Sequence, residues 1–361
     1  MWTSLTLAWI WLVDPYGVSP ISTWQRVGAS KPKRIDIDRL LKPHEVLRHQ
    51  PKTVFLGTPR IHQSMDPASL DGTGYAPAYN AAIPASMLGL TVAQLEHYLD
   101  VDPNLQHVFV ELFLYSFIYP QLVEPTIGMG RVIADAVALH FSSTALTDAV
   151  QTAYFNLRRL PPRAQVAAGG NYVYAPGHNP RFAFGAQSFS ESIVAVHRNI
   201  ADMTIQPTAI DALERIIGVA RSRGVTLHLV ITPSYPWDDY RLLSLGYWRL
   251  VEDFYRKMSR YEGVVSFAQY NEITEEAPAD GMRYWNDPLH FSLRTGRLML
   301  QAMSGRPDAE TPANFMRRLD PGTVETVLAE RRHGLEAWVA RNPDFAAAFE
   351  KAKRAAGMPG S

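Results

Sequence analysis

The sequence predicts an α/β protein, a three-layer α/β/α sandwich with a parallel sheet covered by helices on both faces. Three observations carry this. Short apolar runs alternate with longer amphipathic runs, the order of strands and helices that a parallel sheet requires. The strand runs KTVFL (Lys52–Leu56), HVFVEL (His107–Leu112) and VTLHLVI (Val225–Ile231) are largely apolar, as strands covered on both faces are. With 47% hydrophobic and 19% charged residues among 361, the chain has enough apolar surface for a large core.

In chain order, Met1–Val13 (MWTSLTLAWIWLV) is apolar and uncharged. It is shorter than the roughly 20 residues of a spanning helix and lacks the basic start of a signal peptide. Trp9 and Trp11 stand just before Asp14, where interfacial aromatics often sit. The expectation is a partial membrane anchor, the outer half of a longer apolar segment; a buried strand or helix is the alternative. Residues 14–35, rich in Pro, Ser, Gly and basic side chains, read as an extended linker. A domain over 36–305 follows. Its first elements are a helix at Ile37–Gln50, the strand ending at Gly57, a helix at Thr91–Asp100 and the strand His107–Leu112. Ser116–Ile205 breaks the rhythm and reads as a helix-rich insertion or lid, with a Gly/Pro/Asn stretch at Ala168–Pro180. Thr208–Arg223 is the clearest helix, with Thr208 and Asp211 spaced as a capping box and Gly224 as the stop. Arg241–Met258 reads as one amphipathic helix and Val264–Phe267 as a short strand. Residues 306–361 read as a helical tail, charged over Pro312–Lys353.

Composition excludes several classes. Lys+Arg and Asp+Glu balance at 35 each, so no basic field invites nucleic acid. The chain has no cysteine, which removes disulfides and thiolate chemistry. Its 11 histidines are scattered without metal-ligand spacing, so neither metal nor other cofactor is expected.

The strongest chemical signal is Asp287-Pro288-Leu289-His290, followed by Phe291. A carboxylate three residues before a histidine on a turn can hold one ring nitrogen protonated and leave the other as a base. The alternative is a helix start, with Asp287 as cap and Pro288 at the first position.

Position in the chain adds weight. A strand ending at Gly57, an Asn-containing turn at Asn80, the strand Val108–Leu112 and a late Asp-x-x-His occur in one order. That order resembles the four blocks of the SGNH (GDSL-type) hydrolases over roughly Thr53–Leu300. VDPYG at Val13–Gly17 and YWNDPLHF at Tyr284–Phe291 look like a branch similar to bacterial surface-polysaccharide O-acetylation and assembly proteins. The resemblance implies an SGNH/flavodoxin-like fold and a periplasmic or other extracytoplasmic location, anchored through the N-terminus. It implies a glycan or acylated polysaccharide as ligand and export-complex proteins as possible partners. His290 and Asp287 match the catalytic base and its orienter.

Three blocks depart from the family pattern. After Gly57 the nucleophile position reads Pro59, which has no hydroxyl; Thr58 lies one residue early and Ser64 five residues beyond. The second block reads Asn80-Ala81-Ala82-Ile83-Pro84-Ala85, alanine standing where the family has glycines, though the Ala85 N–H remains a candidate oxyanion donor. The third runs on as Phe113-Leu114-Tyr115, without the oxyanion Asn.

Further candidates surround this set. Arg60 and His62 follow the first strand, facing the cleft as an anion-binding pair or lying on the surface. Tyr235, Asp238 and Asp239 fall at the end of Val225–Ile231, where open sheets bind ligands; aromatic and carboxylate together suit a sugar, or the acids serve a helix start. Glu272, Glu275 and Glu276 read as a solvated turn. Three functions compete. One is a glycan-binding protein that assists acylation or deacylation with degenerate machinery. Another is an active esterase or O-acyltransferase using Thr58 or Ser64 with His290 and Asp287. The third is a non-catalytic scaffold in an export complex.

Overall fold

The structure, a computed structural model, describes residues 2–18, 25–84, 86–120, 127, 129–160, 164–174, 191, 194–198, 200, 202–277 and 282–358. Its centre is a six-stranded sheet in the order β2-β1-β3-β6-β7-β8. The strands are β1 (Thr53–Leu56), β2 (Ala78–Asn80), β3 (His107–Leu112), β6 (Thr226–Ile231), β7 (Val265–Ser266) and β8 (Arg317–Arg318). All pairs are parallel except β7–β8. A separate antiparallel hairpin, β4 (Ala164–Val166) with β5 (Tyr172–Tyr174), belongs to the insertion.

The two faces follow from the two-residue side-chain period of a strand. Val54, Leu56, Val108, Val110, Leu112, Leu229 and Ile231 point to one core. The helices Leu88–Val101, Pro207–Ser222, Trp248–Met258 and Val324–Arg341 cover it with Leu95, Leu213, Phe254 and Leu328. Phe55, Phe109 and Val230 point to the other, covered by the helices Pro59–Ser64, Leu293–Met303 and Pro343–Ala355 through Ile61, Met299 and Phe349. These are the three layers expected.

Several elements differ from the sequence reading. Arg241–Met258 is two helices, Pro236–Ser244 and Trp248–Met258, because Gly246 turns the chain at φ +80°. The Thr208/Asp211 capping box is not used: Pro207 takes the first turn, the cap is Gln206, and no side chain caps it. Asp287 starts no helix either; the next one, Leu293–Met303, is capped by Ser292. The tail is more than helical, since Arg317–Arg318 adds the antiparallel edge strand. Within residues 14–35, Tyr16 and Val27 are buried and Gln25–Gly28 forms one helical turn. Ala85, residues 19–24 of the expected linker and residues 175–180 of the Gly/Pro/Asn stretch lie outside the described residues. Met1 lies outside them too, but Trp2–Val13 is a helix of 12 residues. No described helix is long and apolar enough to cross a membrane.

Candidate functional site

The chain leaves β1 toward β2 on one side and returns to β3 on the other. At such a reversal the strand ends open a crevice in α/β sheets. Gly57 follows β1 there. A Cβ on it would lie 2.7 Å from Ile61 Cγ1, 2.8 Å from Glu111 Cβ and 2.9 Å from Glu111 Oε2. The glycine therefore lets the end of β1 close on Glu111, which stands near the end of β3.

Glu111 was not singled out in the sequence, yet it organises the crevice. Its Oε2 accepts from Thr58 N (2.9 Å) and Thr58 Oγ1 (2.7 Å), and its Oε1 from Thr232 Oγ1 (2.9 Å) at the end of β6. Arg60 Nε lies 3.6 Å from Oε1. A buried charge needs this number of partners. The signal was present: one carboxylate inside the apolar run VFVEL.

Thr58 also accepts from Arg60 N (3.3 Å) and caps the helix Pro59–Ser64. Pro59 is then a first-turn proline, whose missing N–H costs no helical hydrogen bond. Arg60 is buried, against the surface alternative. Its guanidinium lies 4.4 Å from the Phe113 ring and 5.6 Å from the Phe291 ring, and Nη2 donates to the Pro233 carbonyl. His62, two residues on, faces away from it. Its Nε2 lies 2.9 Å from Asp38 Oδ2, but without the alignment of a hydrogen bond. Burial, with Lys42 nearby, holds this imidazole down to about 4.

Beside Arg60 lies Tyr115, in the run Phe113-Leu114-Tyr115 that follows β3. Its hydroxyl donates to Asp238 Oδ1 (3.0 Å) and accepts from Arg241 Nη2 (2.8 Å). Asp239 Oδ2 accepts from Arg331 Nη2 (2.7 Å) and Tyr270 (2.9 Å). Burial pushes the Asp239 carboxyl up in spite of Arg331. Arg60, Tyr115, Thr232, Asp238, Asp239 and Arg331 line a cavity of only about 30 Å³, on the scale of ordered water.

Asp287 and His290 meet on the turn that closes with the Trp285–Phe291 bridge. Asp287 Oδ1 accepts from the N–H groups of Leu289 (2.8 Å) and His290 (2.9 Å), and Oδ2 lies 2.7 Å from His290 Nδ1. One carboxylate thus shapes the turn and aims the ring. Burial raises the Asp287 carboxyl, but the hydrogen bond and charge of His290, with the two N–H groups, outweigh it and hold it below the usual range. Both side chains remain partly open, at 21% and 23% exposure, and His290 Nε2 bonds to no described residue.

The remaining expected residues are engaged elsewhere. Thr58 Oγ1 donates its hydrogen bond to Glu111 Oε2. Ser64 is fully buried and donates to the Phe291 carbonyl. Asn80 Nδ2 donates to Ile61 O (2.8 Å) and Met65 O (2.7 Å), and its Oδ1 accepts from Ala82 N (3.1 Å), so it ends the helix Pro59–Ser64. Tyr235 is 1% exposed, donates to Glu276 O (2.8 Å) and packs on Trp285. Its ring offers no open face to a sugar. Asp238 and Asp239 are buried, in the first turn of Pro236–Ser244. No described group of three or more His, Asp or Glu residues is placed to hold a metal.

The insertion hairpin supplies aromatics the sequence reading did not assign. Tyr172 and Tyr174 of β5 are half-buried over the helix Pro59–Ser64. Tyr172 lies 5.6 Å from the His62 ring, and Tyr174 Oη is 3.4 Å from Gln63 Oε1. Burial pushes the Tyr174 hydroxyl up to about 12, with Tyr172 and Asp287 adding to it. The fully buried Lys42 ammonium pins the hairpin, donating to the carbonyls of Asn80 (2.9 Å), Ala82 and Gly170 (3.0 Å). Burial lowers it to about 8. Asn80 N also donates to Gly169 O (2.8 Å).

No family model and no curated protein matches the chain. The geometry shows an oriented, partly exposed histidine beside a crevice where the hydroxyls of Thr58, Ser64, Tyr115 and Thr232 are already engaged.

Proposed function

We propose that the protein is an extracytoplasmic, membrane-associated SGNH-like protein of cell-surface polysaccharide assembly that acts on acylated glycans. His290, oriented by Asp287, serves as a base toward a hydroxyl of the glycan or a water, not toward one of the chain's own hydroxyls. As that oxygen bonds to the acyl carbon, its proton passes to His290 Nε2 and then to the departing oxygen. Tyr172 and Tyr174 would bound the glycan on the insertion side. The carrying observation is the 2.7 Å Asp287–His290 contact, with His290 partly exposed and its Nε2 bonded to no described residue. The engagement of Thr58 and Ser64 supports a reaction without an acyl-enzyme.

A non-catalytic glycan-binding reading draws on the engagement of Thr58, Ser64 and Asn80 with other groups of the chain. Both are tested by assaying the full chain against an acetylated oligosaccharide and an aryl acetate. The enzyme reading expects turnover that falls about 100-fold or more in His290→Ala and Asp287→Asn, with no covalent adduct in intact-mass spectra. An acyl adduct on Thr58 or Ser64 would restore the serine-type mechanism. Saturable oligosaccharide binding with no His290-dependent turnover would leave the binding role.

A further inference from the structure

Ten of the twelve exposed large apolar side chains among the described residues fall in two short stretches, 2–13 and 129–160. These stretches form one helical unit, Trp2–Val13 packing on Met129–His140 and Ser143–Leu157, with Trp11 stacked on His140 at 5.1 Å.

Ser143–Leu157 distributes its side chains against the usual rule. Toward Ile10, Val13 and Tyr16 it buries small residues, Ala145, Ala149 and Ala153. Its larger apolar residues, Leu146, Val150, Tyr154 and Leu157, are 38–63% exposed. Their spacing of 4, 4 and 3 puts them on one stripe. Phe141, 61% exposed, extends the stripe at the turn before the helix, and Leu160 beyond its end. Leu5, Trp11 and Leu12 of the uncharged helix Trp2–Val13 add a second apolar strip.

Charge selects the occupant. Asp148, the single carboxylate of Ser143–Leu157, is turned to Tyr16 Oη (2.8 Å) and Lys33 (3.7 Å). Arg158 and Arg159 stand exposed at the end of the stripe, Arg158 over the Tyr154 ring at 5.9 Å. An apolar face with cations at its edge fits acyl chains below anionic headgroups. Trp2–Val13, 12 residues and about 18 Å long, can lie along a bilayer surface.

We propose that this three-helix unit is an interfacial docking face for an anionic lipid bilayer, with Trp2–Val13 and Ser143–Leu157 lying in the headgroup region. This deepens the membrane association proposed above, extending it from the N-terminal segment to the insertion, and does not depend on the chemistry of His290.

The test is co-sedimentation of the full chain with vesicles of phosphatidylcholine and phosphatidylglycerol at 3:1, against phosphatidylcholine alone. Binding is expected to favour the anionic vesicles and to fall at least tenfold in the Val150→Glu/Leu157→Glu double variant. Arg158→Glu should weaken it about fivefold or more on anionic vesicles only. Brominated lipid should quench tryptophan fluorescence in the unaltered protein, a readout that needs no variant. The urea midpoint of the double variant shows whether the fold is intact, and aryl acetate turnover is read separately, so a failure at the membrane and a failure at His290 are told apart. Equal binding by the double variant, no quenching, or a concentration-dependent dimer abolished by the same substitutions would overturn the proposal, the last assigning the face to a second copy.

Discussion

Gly57 and Glu111 show how a single atom governs the crevice. The glycine has no Cβ, and the Glu111 carboxylate occupies the space one would need. Gly57→Ala should push that carboxylate off Thr58 and Thr232 and lower the unfolding free energy by about 1–3 kcal/mol, read from urea midpoints. An unchanged midpoint would mean the end of β1 yields without strain. At this scale the sequence was legible where chemistry is local. Asp287 and His290 are three residues apart, and one turn brings them together. Thr58, Asn80 and Arg60 were found as residues but not in their roles. Their partners, Glu111, Met65 and Pro233, come from different segments, and no spacing announces them. The matching of Pro59 to a nucleophile position likewise concealed its plain use as the first residue of a helix.

Among elements, the insertion hairpin depends on one ammonium. Lys42 comes from the helix Asp38–His49, and its three carbonyl acceptors lie on the β2 end and on the turn between β4 and β5. Lys42→Met removes the donor and leaves three buried acceptors. Amide exchange over residues 164–174 should then accelerate tenfold or more, beyond any change in the core strands. Exchange that rises equally everywhere would show a general loss of stability instead of a local clamp. Helix and strand positions were readable because periodicity is local: β3 spans the expected His107–Leu112. Edge strands β2 and β8 were not, since two or three residues carry no period and exist only by pairing with β1 and β7.

For the whole molecule, two histidines link stability to acid. Burial holds His62 and His228 down to about 4, against an ordinary value of 6.5. Between these values the unfolded chain binds protons that the folded chain refuses. Stability is therefore intact above pH 6.5 and declines as pH falls from 6.5 toward 4, by up to about 3 kcal/mol for the almost fully buried His62. Urea unfolding at pH 7 and pH 4.5 should show this decline, and His62→Asn should remove a measurable part of it. A pH-independent midpoint over that range would mean that both imidazoles reach solvent when charged.

The sequence by itself determined the layered α/β architecture, the central strands and the Asp287–His290 pair. Each rests on residues close in the chain or on apolar runs that must be covered. Tertiary structure alone decided that Thr58 and Ser64 are engaged, that Glu111 holds the crevice, that Lys42 fastens the hairpin and that an apolar stripe faces outward. These depend on which distant segments share one buried volume, and burial makes each polar group take whatever partner the fold brings within about 3 Å.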